Sequence, residues 1–263
     1  MIVTFRSDNV LDCTAGAWRV RSLSDGHVEM PADLLRDPQN KPVPQVAEAG
    51  TLRLSVNCFA LAGPGVDGIL IDSGAGGWAS TTGRLEQTLS EAGIDPASIT
   101  VMALTHAHQD HVCGLLTPDD RVLFPNLKAI AIGEEAAEGF LAEAQLARFR
   151  PLLKRVRNGD QVAERLIAVA LPGHAPGHTG YAFDTDEDRF LFFGDIVHAP
   201  DLQFGDPALS WGYDDDQPTA RATRLKVFHD AAETGTWIAG AHLGRPGIGR
   251  VVRDSGCYGY QPA

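Results

Sequence analysis

From residue 52 onward, short apolar runs alternate with segments whose apolar residues recur every three or four positions. "LRLSVNCFALAG" (52–63) and "GILIDSG" (68–74) read as strands. "TGRLEQTLSEAG" (82–93) sets Leu85, Leu89 and Ala92 on one helical face, with Gly93 as its stop. "ITVMAL" (99–104) is again a strand. "GEEAAEGFLAEAQLARFRPLLKRV" (133–156) is rich in helix formers, acidic early and basic late, and Pro151 is expected to kink or split that helix. "RLIAVAL" (165–171), "YAFDT" (181–185) and "RFLFFG" (189–194) return to strand character, and a helix from about Pro218 to Ala232 leads into the strand "TWIAGA" (236–241). Strands alternating with helices place the chain in the α/β or mixed α/β class, with helices covering sheet faces.

No repeat of 20 to 50 residues and no low-complexity tract divides the sequence, so one domain over residues 1–263 is the expectation. The one linker-like stretch is "EMPADLLRDPQNKPVPQ" (29–45), whose four prolines predict an irregular excursion, either a lid or an oligomer contact. Composition narrows the partners. With 34 acidic against 22 basic residues the formal charge is −12, which disfavours a nucleic-acid backbone or an anionic membrane face and favours a small-molecule partner. A homodimer stays open. "MIVTFRSDNV" has no basic region followed by an apolar one, and no apolar run approaches the roughly 18 residues of a membrane span, so a cytoplasmic location is expected. Cys13, Cys58, Cys113 and Cys257 are scattered with no C-x-x-C pair and read as free buried thiols.

Chemistry concentrates where the later apolar runs stop. "ITVMAL" is followed by Thr105-His106-Ala107-His108-Gln109-Asp110-His111, "IAVAL" by Pro172-Gly173-His174, "FLFFG" by Asp195, and "WIAGA" by His242. In layered α/β proteins strand ends are where loops converge, so these distant side chains can meet. Five imidazoles and two carboxylates suit borderline divalent ions such as zinc, and seven donors exceed the needs of one tetrahedral ion. Two metals are expected. In an extended segment His106 and His108 point the same way and can chelate one ion, while Asp110 and His111 can turn to a second, and the two oxygens of Asp195 can bridge both. A lone histidine after a strand is usually a satisfied or surface residue. Four such residues within six positions are not.

These residues resemble the metallo-β-lactamase-fold hydrolases. The H-x-H-x-D-H motif, "LPGHAPGH" (171–178), "FFGDIVH" (192–198), "GAHLGRPGIGRV" (240–251) and the upstream "LIDSGAGG" (70–77) occur in that family's order, over roughly Leu52 to Val251. The resemblance implies a four-layer αβ/βα sandwich with a dinuclear site between its halves. It assigns His106, His108 and His174 to one ion, Asp110, His111 and His242 to the other, and Asp195 to the bridge. The metals are two divalent ions per chain, zinc first, with manganese, iron or cobalt as alternatives. "GDIVHAPDLQF" and "HLGRPGIG" resemble most the branch containing methyl parathion hydrolase and related lactonases. A β-lactamase would carry a cysteine at Asp195, a flavodiiron protein a glutamate at His108, and glyoxalase II a helical C-terminal region where only 21 residues follow His242.

The implied reaction is hydrolysis of an ester bond in a small uncharged molecule, a lactone or aryl ester or else a phosphotriester, by a hydroxide held between the two ions. Asp110 is the candidate for moving a proton to the leaving group, Asp195 for fixing the metal separation, and His198, where autoinducer lactonases place a tyrosine, for contacting substrate or oxyanion. A glyoxalase II-like thioesterase and a non-catalytic metal-stabilised binding module are the alternatives. His178 is expected to hold a loop or a ligand in place through an N–H, and Asp72 either to anchor the site or to cap a turn. Phe193, Phe204 and Trp211 read as core before pocket, Cys113 as a buried hydrophobe, and His27 and His229 as surface residues. Gly74, Gly76 and Ala79 also satisfy G-x-G-x-x-A, but Asp72 at that turn would oppose a dinucleotide pyrophosphate.

Overall fold

The strand-and-helix alternation is built into two face-to-face sheets in the computed structural model, which describes residues 1–254 and 256–263. Three antiparallel strands come first: β1 (Ile2–Arg6), β2 (Val10–Ala15) and β3 (Trp18–Pro31). After a short turn lie β4 (Leu35–Arg36) and a single helical turn α1 (Pro44–Ala47). The long strand β5 (Thr51–Gly63) then pairs along β3 and leads to β6 (Val66–Ile71). The next elements are α2 (Leu85–Glu91), β7 (Ile99–Leu104), α3 (Gln109–Val112), β8 (Ala129–Gly133), α4 (Ala136–Ala142) and β9 (Leu153–Val156). These complete an eight-stranded sheet of order β1-β2-β3-β5-β6-β7-β8-β9, parallel from β6 to β9.

The second sheet begins with β10 (Gln161–Ala163), β11 (Leu166–Ala170), β12 (Thr179–Asp184) and β13 (Arg189–Phe192). It resumes after α5 (Pro200–Gln203), β14 (Ser210–Trp211) and the long helix α6 (Gln217–Thr234) with β15 (Trp237–Ala239), β16 (Ile248–Asp254) and β17 (Cys257–Pro262). Its order is β10-β11-β12-β13-β15-β16-β17. β4 and β14 form a separate two-stranded clasp, Leu35 opposite Trp211. Among the described residues no helix is long and apolar enough to cross a membrane.

Period-two alternation explains the layering, because successive strand residues face opposite sides. In β7 and β8, Met102, Leu104, Ile130 and Ile132 turn outward onto Leu85 and Leu89 of α2 and Phe140 of α4. Ala103 and Ala131 turn inward and leave room for Tyr181 of the second sheet, whose hydroxyl donates to the Leu104 carbonyl at 2.6 Å. Leu11, Val20, Phe59 and Ile71 of the first sheet meet Phe183, Phe190, Phe192 and Ile248 of the second in the same inner core. Val227, Phe228 and Ala231 of α6 cover the second sheet's outer side, against Phe193 and Ile238. The result is the expected helix–sheet–sheet–helix sandwich.

α2 ends as expected at Gly93, which adopts φ +66°. α6 begins with the Asp216 carboxylate accepting the Thr219 backbone N–H and ends at Gly235. The long helix expected over 133–156 is corrected. α4 stops at Ala142, Pro151 lies in a 3₁₀ turn, and "LKRV" becomes the edge strand β9, parallel to β8. A helix through Pro151 would lose a backbone hydrogen bond and clash with the preceding turn. The stretch 29–45 contains the end of β3, a 3₁₀ turn, β4 and α1, with Ala32 and Leu35 fully buried. Three cysteines are buried as expected, but Cys257 is exposed, on the edge strand β17.

Candidate metal centre

Four strand ends, one from the first sheet and three from the second, converge on one site. β7 runs out at Leu104 and releases His106 and His108 before α3 presents Asp110 and His111. β11, β13 and β15 are followed by His174, Asp195 and His242. The structure brings all seven expected residues together. Donor atoms of His106, His108, His174 and Asp195 lie within 4.8 Å of one another, as do those of Asp110, His111 and His242. His108 Nδ1 is 2.9 Å from His106 Nε2 and 3.1 Å from His174 Nε2. His242 Nε2 and His111 Nε2 lie 3.4 and 3.6 Å from Asp110 Oδ2.

Asp195 joins the two groups. Its Oδ2 is 3.3 Å from His174 Nε2, 3.8 Å from His106 Nε2 and 3.2 Å from His242 Nε2, while Oδ1 is 3.2 Å from His111 Nε2. Burial alone would raise this carboxyl's pKa, but His111 and His242 facing it hold it well below the usual carboxylate range.

The outer nitrogens decide which inner ones are free. His111 Nδ1 donates to Asp72 Oδ2 at 2.8 Å, His174 Nδ1 to Asp214 Oδ1 at 2.8 Å, and His242 Nδ1 to the Ser55 carbonyl at 2.6 Å. A proton fixed on Nδ1 leaves Nε2 as a lone pair aimed inward, the tautomer a metal ligand needs. Burial drives His106 and His174 well below the ordinary imidazole pKa and lowers His108, so all three are neutral. At His111 and His242 burial acts the same way, but the Asp195 carboxylate outweighs it and raises both. Positive charge is therefore favoured on that side of the site. Four buried atoms here, His111 Nε2, Asp195 Oδ1 and both ring nitrogens of His198, have no hydrogen-bond partner among the described residues. Such orphans cost about 1–3 kcal/mol each unless something coordinates them. This donor set fits a pair of divalent cations.

Supporting residues tie the site to the fold. Asp72, at φ +56°, also accepts the Thr105 N–H at 2.8 Å, so it anchors the motif rather than merely capping a turn. His178 donates through Nδ1 to the Leu171 carbonyl at 2.9 Å and accepts the Asp195 N–H at Nε2, 3.1 Å away, so it holds the backbone of the shared carboxylate. His198 is buried with Nε2 3.2 Å from Asp195 Oδ2, stacked on Trp211 at 4.9 Å, and burial pushes it down to about 4. Its neutral ring lines the cavity, and its nitrogens also lie within coordinating reach of neighbouring donors.

Over the site opens a cavity of about 560 Å³. His108, Asp110, His174, Asp195 and His242 form its floor, and Val28, Met30, Leu54, Trp78, Trp211 and Tyr213 supply its apolar and aromatic wall. Among the described residues, no Lys or Arg lines it. Phe193 and Phe204 do not line it. Phe204 stacks on Phe228 at 4.4 Å and both belong to the core under α6. Cys113 is buried as expected, its thiol pushed up to about 11 by that burial. His27 is half-buried rather than on the surface, and His229 is exposed beside Arg253.

Several supporting residues escaped the sequence reading. Asp214 is buried between His174 and the Trp211 N–H, which it accepts at 2.8 Å. Arg224 of α6, fully buried, donates from Nε to the Ile196 carbonyl at 2.6 Å and from Nη1 to the Pro207 and Leu209 carbonyls, with Nη2 3.9 Å from Asp214. Burial pulls its pKa down only to about 10, so it stays charged at neutral pH. Asn57 of β5 ties down the His242 loop by donating to the Ala241 and Gly244 carbonyls at 3.0 and 2.9 Å. Asp25, in β3, accepts the backbone N–H groups of Ala75, Gly83 and Leu85. That carboxylate occupies donors a dinucleotide phosphate would need, so the G-x-G-x-x-A reading fails. The missed signals were an arginine within the apolar stripe of a helix and an aspartate in "YDDD", which reads as a solvated acidic run.

Comparison with known proteins agrees with this geometry. The profile described as "Metallo-beta-lactamase superfamily" matches residues 51–242. The crystal structure of the hydrolase AbOPH, described as in the beta lactamase superfamily, is 30% identical, covers 98% of this chain and 99% of that one, and superposes with a TM-score of 0.87. AidC, described as a dizinc quorum-quenching lactonase, shares the fold with a TM-score of 0.85 at 21% identity, over 98% and 99% of the two chains. A 109-residue stretch is 29% identical to hydroxyacylglutathione hydrolase from Photobacterium profundum, covering 40% of this chain but only 36% of that protein.

Proposed function

This chain belongs to the metallo-beta-lactamase superfamily, and from that premise we propose that it is a dinuclear metal-dependent hydrolase cleaving an ester bond in a small uncharged molecule. A lactone or an aryl ester is the favoured substrate, and a phosphotriester is the further candidate. The carrying observation is the sharing of Asp195 between two groups of converging donors whose outer nitrogens are already committed.

Bound by His106, His108 and His174 on one side and Asp110, His111 and His242 on the other, a pair of divalent cations would supply Lewis acidity and lower the pKa of water from 15.7 towards about 7. The chain does the rest. Asp195 sets the separation of the two groups, and Asp72, Asp214 and the Ser55 carbonyl keep the imidazoles in one tautomer. Asp110, half-buried at the cavity floor, would take the proton given up by the attacking water at a carboxylate oxygen and pass it to the leaving oxygen. His198, neutral and beside Asp195, offers a ring N–H to the oxygen that gains charge. The wall from Val28 to Tyr213 takes the apolar part of the substrate and excludes water from the floor.

AbOPH, by its identity over nearly the whole chain, supports a hydrolase, and AidC supports an ester substrate through a structure described as a lactonase in complex with the product N-hexnoyl-L-homoserine. A glutathione thioester fits less well, because among the described residues no Lys or Arg lines the cavity to meet that peptide's carboxylates. The test is a hydrolysis screen of lactones, aryl esters and phosphotriesters with chelator-stripped and zinc-, manganese- or cobalt-reloaded protein. Turnover that vanishes on stripping and returns on reloading is the expected result. A protein that takes up two ions and hydrolyses none of these would instead be a metal-stabilised binding module.

A further inference from the structure

A second cavity, of about 500 Å³, adjoins the one above the metal centre, and the two share lining residues Trp78 and Gln109. Gln109 stands between the donors His108 and Asp110. Its side-chain amide donates to Glu143 Oε1 at 3.1 Å. Trp78 is half exposed, at 50%, whereas Trp18 and Trp211 are buried at 5% and 2%. An indole left half in water between two cavities forgoes the burial that usually stabilises this side chain, which marks a surface kept for contact.

The second chamber differs in character from the first. Thr117, Asp120, Glu143 and Gln145 give it a polar wall, and among the described residues no Lys or Arg lines it. Both Asp120 oxygens accept from Arg148 at 3.1 Å, and Thr117 donates to Asp119. Glu143 is half-buried and is left with acceptor capacity beyond the one bond from Gln109. The chamber thus offers hydrogen-bond acceptors on the far side of Trp78 from the apolar and aromatic wall of the first cavity.

We propose that this second chamber is a substrate subsite, which takes the far end of an ester's alcohol or acyl arm when that end carries a hydrogen-bond donor such as a hydroxyl or amide N–H. Trp78 is the partition the arm passes, and Glu143 accepts from its terminus. The proposal rests on the ester-hydrolase reading of the first cavity and deepens it to a substrate class.

Matched butyrate esters test it: ethyl, octyl and 8-hydroxyoctyl butyrate, assayed with metal-loaded protein. One net hydrogen bond is worth about 0.5–1.5 kcal/mol, so kcat/KM for the hydroxyoctyl ester should exceed that for the octyl ester by about 2- to 13-fold. Glu143→Leu should bring that ratio to about one, and Trp78→Ala should change the octyl-to-ethyl ratio, with thermal melts confirming that both variants fold. Equal rates on the two long esters, or ratios that neither substitution moves, would overturn the proposal. A separate measurement keeps the two readings apart. Octane-1,8-diol should perturb the tryptophan fluorescence of the wild type but not of Trp78→Phe, and should do so more weakly in Glu143→Leu. If no ester is hydrolysed yet this binding is seen, the ester reading fails while the chamber stands; if the diol leaves the Trp78 emission unchanged, the chamber fails whatever the hydrolysis shows.

Discussion

Replacing Arg224 by methionine removes one guanidinium from a site it stitches together at several points. The side chain donates to the carbonyls of Ile196, Pro207 and Leu209 and sits 3.9 Å from Asp214, with no exposure to water. Methionine has similar reach but no donor, so the Ile196 and Pro207 carbonyls lose this partner, the Leu209 carbonyl keeps only the Gln203 amide, and Asp214 loses its neighbouring cation. Breaking a buried charged network by removing one partner costs about 3–5 kcal/mol. That is a large part of the 5–15 kcal/mol typical of a whole domain. Arg224→Lys keeps the charge and one or two donors and should lose only about 1–2 kcal/mol. Urea unfolding should show the midpoint falling in that order with an unchanged slope. Ile196 follows Asp195, and Asp214 fixes the His174 tautomer, so zinc affinity should also fall by roughly 10–100-fold in Arg224→Met and recover in the lysine variant. An Arg224→Met protein within about 1 kcal/mol of wild type, with zinc competition against a chelator unchanged, would refute this account of the network.

Asp195→Asn should lower both bound metal, read by elemental analysis, and ester hydrolysis; two ions per chain with full activity would contradict its shared position between the two groups. His178→Ala, by freeing the Asp195 backbone, should weaken metal binding roughly 10–100-fold, and an unaltered chelator titration would defeat that role. The fourth outcome concerns acidity. Burial raises the Asp25 carboxyl from 3.8 to about 6 against its backbone donors, so the folded state holds this proton more tightly than the unfolded chain. Stability from this group is therefore lost as pH climbs from about 4 to 6, by up to about 3 kcal/mol, and is level above that. The difference in unfolding free energy between wild type and Asp25→Asn should trace that fall, and a difference independent of pH would rule it out.

The ligand set was legible because its residues follow apolar runs directly, so period and position together announce strand ends before any contact is known. What supports those ligands was not legible. Asp214 lies 40 residues from His174 and Arg224 another 10 beyond it, and no local pattern links a helix-interior arginine to a loop aspartate. The first three strands were hidden for a related reason. β2 is buried on both faces and carries Asp12, which pairs with Arg19 and Arg21, so neither clean alternation nor a continuous apolar run marks it. The stretch 133–156 misled because acids early and bases late suit a helix, whereas the partner that makes "LKRV" a strand is β8. The proline-rich stretch 29–45 likewise owes its order to Ser210 and Trp211, far away in the chain.

The clasp of β4 and β14 rests on just two residue pairs, yet it joins the strip after β3 to the segment presenting Trp211 and Tyr213. The donors for metal stand on the ends of β7, β11, β13 and β15, deep in the two sheets. The seven candidate donors thus stand apart from the clasp, and Asp214, which holds His174 and accepts the Trp211 N–H, is the link between them. On the proposed reading, insertions or exchanges around the clasp that keep Asp214 would alter which molecules fit the cavity while leaving the seven candidate donors in place, a ready route to new diets over evolutionary time.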